Sequence, residues 1–304
     1  MSERITGAMI SGSTLNDINA ALAKMERSSE EMSSGKTILQ PSDNPYGASR
    51  AIDLQSQLDG LSSYERGSQD GVSWTQAASS AMANIGEVVQ HVRVLVLQAS
   101  NGTLSQSDLQ NIGTEISQLT NTIKQAANIQ YAGQYVFAGT ATTTPPYTQG
   151  ENDEYHGDEG TVARSVGPGS SIAINTNLAS VLGEGAAAKD GKLLDTLRTI
   201  VTHLEEGTPE AKAALNSSDL AALDGNFDQL TQLQATTGST TDQLQVGLGR
   251  IEALTASVTK ALSNTEDADF AKVSIAYSNE RAAYEAALRA GASIVQESLL
   301  NFLH

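Results

Sequence analysis

Leu15, Ile18, Leu22, Met25 and Met32 recur at alternating three- and four-residue steps, with Ser29 alone interrupting the stripe. That rhythm is a heptad seam and predicts a helix. Thr14 and Asp17 stand at capping-box spacing, and Gly35 behind Ser33 and Ser34 supplies a stop, which places the helix at about residues 13–34. At the other end of the chain, from about residue 267, Tyr277, Tyr284, Leu288, Val295, Leu299 and Phe302 share one stripe. Both ends therefore carry helical seams.

Between them the pattern changes several times. Residues 36–45 hold Pro41 and Pro45, which cannot lie inside a helix, so Gly35, Pro41, Ser42, Asp43, Asn44 and Pro45 read as an extended connector. Asn44 is then an N-cap with Pro45 at the first helical position. The helix that follows carries Ile52, Leu58 and Leu61 toward Trp74, and Gly60, Gly67 and Gly71 predict a bend or break in it. Helical period returns through Ile85, Val88, Val92 and Leu95, and Asn101-Gly102 marks a turn. Ser107 with Gln110 caps the next helix, whose face is Leu109, Ile112, Ile116, Leu119 and Ile123.

From about residue 141 to 189 the chain is rich in Gly, Pro, Thr and Asn. Residues 161–166 and 171–175 alternate apolar and polar around Gly167-Pro168-Gly169, which predicts a β-hairpin. Helices resume at Leu193, restart at Thr208-Pro209, and begin once more at Ser239 with Asp242. The expected organisation is a terminal coiled coil (1–40 with 265–304), a helical bundle (41–140 with 190–264) and a small β-rich insertion (141–189).

Composition sharpens this reading. Hydrophobic residues reach 39% but aromatics only 4%, so large anchors for a thick core are scarce and an elongated, mainly α molecule is expected. Eighteen Lys and Arg against 35 Asp and Glu leave a net charge of −17, a field that repels phosphate backbones and anionic lipid. Nucleic-acid binding is not expected. With no cysteine, disulfides, thiolate metal sites and cysteine nucleophiles are excluded together. Neither a signal peptide nor a membrane-spanning apolar stretch is expected, so any passage out of the cytoplasm would use another route.

Candidate chemistry is sparse. His91, His156, His203 and His304 are scattered, without a second histidine at metal-ligand spacing. His156 lies in the acidic run of residues 151–159, which lacks the EF-hand order and reads as a hydrated loop. Gly247-Leu248-Gly249 has no preceding strand and reads as helix surface. No nucleophile elbow or Walker loop occurs, so no enzyme, cofactor or metal is expected. The end seams are the stronger feature. Apolar residues at heptad spacing ordinarily form a core, but Ala, Ser and Gly dilute these stripes. The ends are thus expected to be marginal alone and to become stable by packing against other subunits.

The N-terminal seam ending in Met32-Ser33-Ser34-Gly35-Lys36, followed by Pro41-Ser42-Asp43-Asn44-Pro45-Tyr46-Gly47-Ala48-Ser49, closely resembles the amino-terminal signature of the flagellin-like family. Its Gly-Lys and Pro-Ser-Asp-x-Pro form is similar to the hook-associated protein 3 branch, where flagellin proper usually has Gly-Leu-Arg-Ile-Asn and a Lys-Asp-Asp-Ala-Ala run. Tyr135-Val136-Phe137-Ala138-Gly139-Thr140 leading to Pro145-Pro146-Tyr147, the Gly157-Asp158-Glu159-Gly160 turn, and the ending from Tyr284 through Leu303 agree in order.

The resemblance implies a structural, non-enzymatic part of the bacterial flagellum at the hook–filament junction. Its partners would be further copies in a ring, the first hook-associated protein, flagellin and a type III export chaperone, with neither nucleic acid nor membrane insertion. It would be exported through the flagellar type III apparatus without a cleaved signal peptide and would reside outside the cell. A flagellin that forms the filament itself is the alternative. The assembly interface expected is Leu15, Ile18, Leu22, Met25 and Met32 with Tyr277, Tyr284, Leu288, Val295, Leu299 and Phe302, and the connector would set the angle between helical layers.

Overall fold

Glycine and proline divide the chain where the sequence suggests, but fewer times. The computed structural model describes residues 7–101, 104–150 and 153–302, without the side chains of residues 7, 8, 10, 11 and 294–302. The order is α1 (Gly7–Ser34), α2 (Pro45–Ala99), α3 (Gln106–Ala127), β1 (Gln130–Tyr131), β2 (Gln134–Tyr135), β3 (Ala163–Gly167) and β4 (Ser170–Ala173). Then follow α4 (Ala179–Leu182), α5 (Leu193–Glu206), α6 (Pro209–Ala214), a π-helical turn (Leu215–Asp219), α7 (Leu220–Glu266) and α8 (Phe270–Phe302). The protein is mainly helical, with a small β-containing insertion.

Two compact units partition it: Met1–Gly60 with Leu254–His304, and Leu61–Ala253. In the second unit the core is continuous. Trp74, Met82, Ile85, Val92 and Val96 of α2 are buried, as are Leu109, Ile116 and Ile123 of α3, Leu197, Ile200 and Leu204 of α5, and Leu223, Leu230 and Leu244 of α7. The sole tryptophan meets Tyr131 edge-on at 6.1 Å between ring centres. In the first unit, the buried hydrophobic side chains among the described residues are only Ala48, Ala51, Leu54 and Val273. Since a buried aliphatic side chain contributes about 1.5–3 kcal/mol, the first unit has far less holding it together.

Three expectations about breaks are corrected. α2 runs without interruption through Gly60, Gly67 and Gly71. A β-carbon on Gly67 would lie 2.9 Å from the Ser165 carbonyl oxygen, and one on Gly71 3.2 Å from Leu244. Both glycines let neighbours approach the helix, and that packing outweighs their low propensity. α7 likewise continues through Ser239. Its threonines return their hydroxyls to the preceding turn, Thr237 to Leu233 O at 3.0 Å and Thr241 to Thr237 O at 3.0 Å, so they do not need a cap. The capping box of α3 is Ser105 with Asp108 rather than Ser107 with Gln110, which starts the helix a turn-fraction earlier.

The hairpin β3–β4 pairs antiparallel, Ala163 with Ala173 and Arg164 with Ile172, and turns at Pro168-Gly169, where Gly169 has φ +67°. A second, shorter hairpin joins β1 and β2 around Ala132 and Gly133, both at positive φ. The sequence reading passed over it because two-residue strands have no alternation to detect.

Candidate assembly interface

α1 ends at Gly35, whose φ of +72° is the left-handed conformation glycine adopts without strain and whose N–H returns to Glu31 O at 2.9 Å. The next residues are tied to the segment between α7 and α8. Thr37 N–H donates to Glu266 O at 2.7 Å, Ala268 N–H donates to Gly35 O at 2.8 Å, and Lys36 Nζ pairs with Glu266 Oε1 at 2.8 Å. This clasp makes Lys36 and Asp267 an antiparallel bridge and sets the register of the two terminal helices.

From the clasp outward, α1 and α8 run antiparallel. The less exposed positions of α1 are Thr14, Ile18, Ala21, Met25, Ser28 and Met32; those of α8 are Val273, Tyr277, Glu280, Tyr284, Ala287 and Gly291. Both series step by four and three, the signature of a two-helix coiled coil. Contacts confirm the alignment: Ser28 Oγ donates to the Glu280 carboxylate, and a β-carbon on Gly291 would sit 3.0 Å from Ile18 Cδ1 and 3.3 Å from Thr14 Cγ2. These contacts set Ser28 beside Glu280 and Gly291 beside Ile18 and Thr14.

Of the residues read as interface from sequence, Ile18, Met25, Met32, Tyr277 and Tyr284 are half-buried in this intrachain seam. Leu22 is half-buried at its flank. Leu15 and Leu288 stand outside it, 60% and 43% exposed. Val295, Leu299 and Phe302 lie on the last turns of α8, and their side chains fall outside the described residues. Sequence reasoning missed Thr14, Ala21, Ser28, Ala287 and Gly291. The signal was available: the 14, 21, 28 series repeats at sevens one residue behind the leucines.

The connector is organised by Asp43. Its Oδ2 accepts the N–H groups of Gln40 at 2.9 Å and Leu39 at 3.1 Å, and its Oδ1 takes Arg27 Nη1 at 3.0 Å. The Gln40 N–H, with that of Leu39 and the Arg27 guanidinium behind it, holds the carboxyl below the usual range against the opposing effect of burial. Asn44 Oδ1 accepts Gly47 N–H at 2.9 Å, so Asn44 caps α2 with Pro45 in the first turn, as the spacing predicts. Pro41 and Ser42 are exposed at the outer bend. Gly47 has no room for a β-carbon, which would fall 2.7 Å from Ile38 Cδ1.

Elsewhere the polar groups are structural. The acidic run does not behave as a hydrated loop throughout: Asp153 is buried and bridges buried Lys124 and Arg198. Asp158 accepts Thr140 N–H at 2.6 Å and Gly160 N–H at 2.9 Å, with the Thr140 hydroxyl first among the groups that lower its pKa. Glu154, His156 and Glu159 remain exposed, and residues 151 and 152 lie outside the described ones. His203 Nδ1 meets Asp219 Oδ2 at 2.6 Å and His91 Nε2 meets Glu115 Oε1 at 3.6 Å, while His304 is outside the described residues. Gly247-Leu248-Gly249 lies within α7, as expected of helix surface. Among the described residues, no metal-competent cluster forms and no helix is long and apolar enough to cross a membrane.

The bacterial flagellin N-terminal helical region matches residues 5–142, and the bacterial flagellin C-terminal helical region matches residues 220–303. Flagellar hook-associated protein 3 of Escherichia coli (strain K12) is 25% identical over 94% of this chain and 95% of its own. Flagellin of Bacillus subtilis (strain 168) is 26% identical over 88% of each. The crystal structure of a flagellar junction protein from Legionella pneumophila superposes with TM-score 0.55 and 14% identity, covering 73% of this chain and all of that one.

Proposed function

The chain belongs to the flagellin-like family, a family of structural flagellar components, and from that premise we propose that it joins the hook to the filament. In this reading it sits above the first hook-associated protein and offers a flagellin-like surface to the first filament subunits. Further copies complete a ring, and an export chaperone holds the chain before passage through the type III apparatus to the cell exterior. It has no enzymatic role.

The observation that carries the mechanism is the contrast between the two units. The α1–α8 pair buries little, leaves leucines at its flank, and depends on a clasp and a seam of small layers. Such a pair orders fully when a neighbour covers it, so folding of the ends and association supply each other's driving force. Support for the junction assignment is the near full-length likeness to hook-associated protein 3 together with the Gly35-Lys36 and Pro41-Ser42-Asp43 form of the connector.

The comparable likeness to Bacillus subtilis flagellin keeps the filament subunit as the second reading. The test is to add purified chain to hooks carrying the first hook-associated protein. A short cap that then accepts flagellin supports the junction role; unlimited growth of the chain into filaments replaces it with the second reading. Replacing Leu288 with Asp should block capping while the second unit stays folded. Hydrogen exchange of the free chain should be fast before Pro41 and after Asp267 and slow in the second unit. Equal protection throughout would remove coupled folding from the mechanism.

A further inference from the structure

Of the seam positions that α1 and α8 present to each other, Glu280 alone is charged. Its carboxylate is half-buried and accepts the hydroxyl of Ser28, itself 6% exposed. An apolar residue at that position would hold the two helices more tightly, because a carboxylate drawn out of water loses hydration that one hydroxyl only partly returns. The rest of the seam is mostly alanine, methionine, isoleucine, valine and tyrosine repeating at heptad spacing, so neighbouring registers bury similar apolar surface.

We propose that Ser28 and Glu280 are the specificity-determining layer of the terminal pair, giving up stability to exclude other registers of α1 against α8. Counting along α1 shows why Ser28 is the position that matters. Sliding α8 by three or four residues sets Glu280 beside Met25 or Met32, and sliding it by seven sets Glu280 beside Ala21 or Gly35. Methionine and alanine side chains offer no donor, and the Gly35 N–H is already given to Glu31 O at 2.9 Å. Of the cationic side chains flanking the seam, Arg27 is held by Glu31 and Asp43, Arg281 pairs with Glu285, and Lys24 is exposed on the outer flank. The next hydroxyl in the seam, that of Thr14, is two heptads from Ser28, about 21 Å of helix. Only the observed register therefore gives the carboxylate its donor. The clasp ties the root of the pair, and the polar layer carries the same alignment into the helices.

The chain has no native cysteine, so paired substitutions report register directly. Thr14→Cys with Gly291→Cys reads the observed register, because a β-carbon at Gly291 lies 3.3 Å from Thr14 Cγ2 and meets Ile18 only at its terminal Cδ1, 3.0 Å away. Ala21→Cys with Gly291→Cys reads a slip of one heptad, since Ala21 is about 10 Å farther along the helix in the observed alignment and out of disulfide reach. Intrachain disulfide formation is measured for both full-length chains, dilute and free in a glutathione buffer, where even a sparsely formed pair is trapped. The first reporter should exceed the second by more than about tenfold, the worth of a hydrogen bond to a charged group. Adding Glu280→Leu should remove about that factor while the helix content of the chain holds or rises. Ser28→Ala should slow both reporters, since no register then pairs the carboxylate, and Ser28→Thr should restore them. An unchanged ratio with Glu280→Leu would mean that the clasp alone sets the register, and both reporters falling by one factor would mean that the layer merely stabilises the pair. Either result overturns the proposal, and Glu280→Ala repeats the measurement should leucine fit poorly. No hook or flagellin enters the assay, so its result is independent of the junction reading.

Discussion

Gly12 inside α1 and Gly35 just past its end allow one substitution to be tried with opposite expected signs. Gly35 has φ +72°, and a β-carbon there would meet nothing within 4 Å, so Gly35→Ala isolates backbone strain from any clash. An L-residue held in the left-handed region costs about 1–2 kcal/mol, and Gly35 cannot relax freely because its carbonyl receives Ala268 N–H at 2.8 Å. Gly12 also has open space around it but lies inside the helix at ordinary φ. There alanine stabilises the helix by about 0.8–1.0 kcal/mol.

If folding of the terminal pair limits association, the competent fraction of the free chain changes by the corresponding factor, and so does the concentration needed for association. The concentration at which half the hook tips are capped should rise about 5- to 30-fold for Gly35→Ala. It should fall about four- to fivefold for Gly12→Ala. Tryptophan fluorescence from Trp74, within the second unit, checks in each variant that this unit is unchanged. Equal midpoints, or shifts of the same sign, would refute the link between the clasp, the pair and assembly.

Further outcomes concern the second unit and the connector. Trp74→Ala should lower the stability of that unit by about 3–5 kcal/mol in denaturant unfolding, since the ring is fully buried. Asp153→Ala should be as damaging, by about 3–5 kcal/mol, because it removes the carboxylate from Lys124, which is 1% exposed; Glu159→Ala in the same run should change the unfolding midpoint little. The Asp43 carboxyl is lowered from 3.8, so its support of the connector is complete above that value and is lost only as pH falls through the lower folded value. An NMR titration should find the Leu39 and Gln40 amide shifts steady through pH 4 and moving below it; movement centred above 3.8 would contradict the hydrogen-bonding account.

Much of this architecture is written in local patterns. Asn44-Pro45 and Thr208-Pro209 start helices where the cap rules place them, and the turn at Pro168-Gly169 closes the predicted hairpin. Failures arose where a tertiary neighbour decides. Gly67 and Gly71 read as weak points until Ser165 and Leu244 are seen against them, and Asp153 reads as hydrated until Lys124 is beside it. At the terminal helices Ile18, Met25 and Met32 were legible, but the alternate seam positions of α1 are 14, 21 and 28, one residue before the leucines. Leucines at 15 and 22 have the larger apolar surface, yet Ser28 is buried and bonded to Glu280 of α8 while Leu15 is 60% exposed. Hydrophobicity ranks positions, whereas the partner's shape selects among them.

The clasp joins residues 229 positions apart in the chain, Thr37 and Glu266. Everything between them leaves and returns through one gate. The entropy of closing such a loop grows only with the logarithm of its length, so doubling the intervening chain would weaken the clasp by about 0.6 kcal/mol. Outer segments can therefore be lengthened, trimmed or exchanged in evolution, and by design, with little effect on the alignment of the two ends. A tagged or enlarged insertion at Gly169 should leave the terminal register as it is.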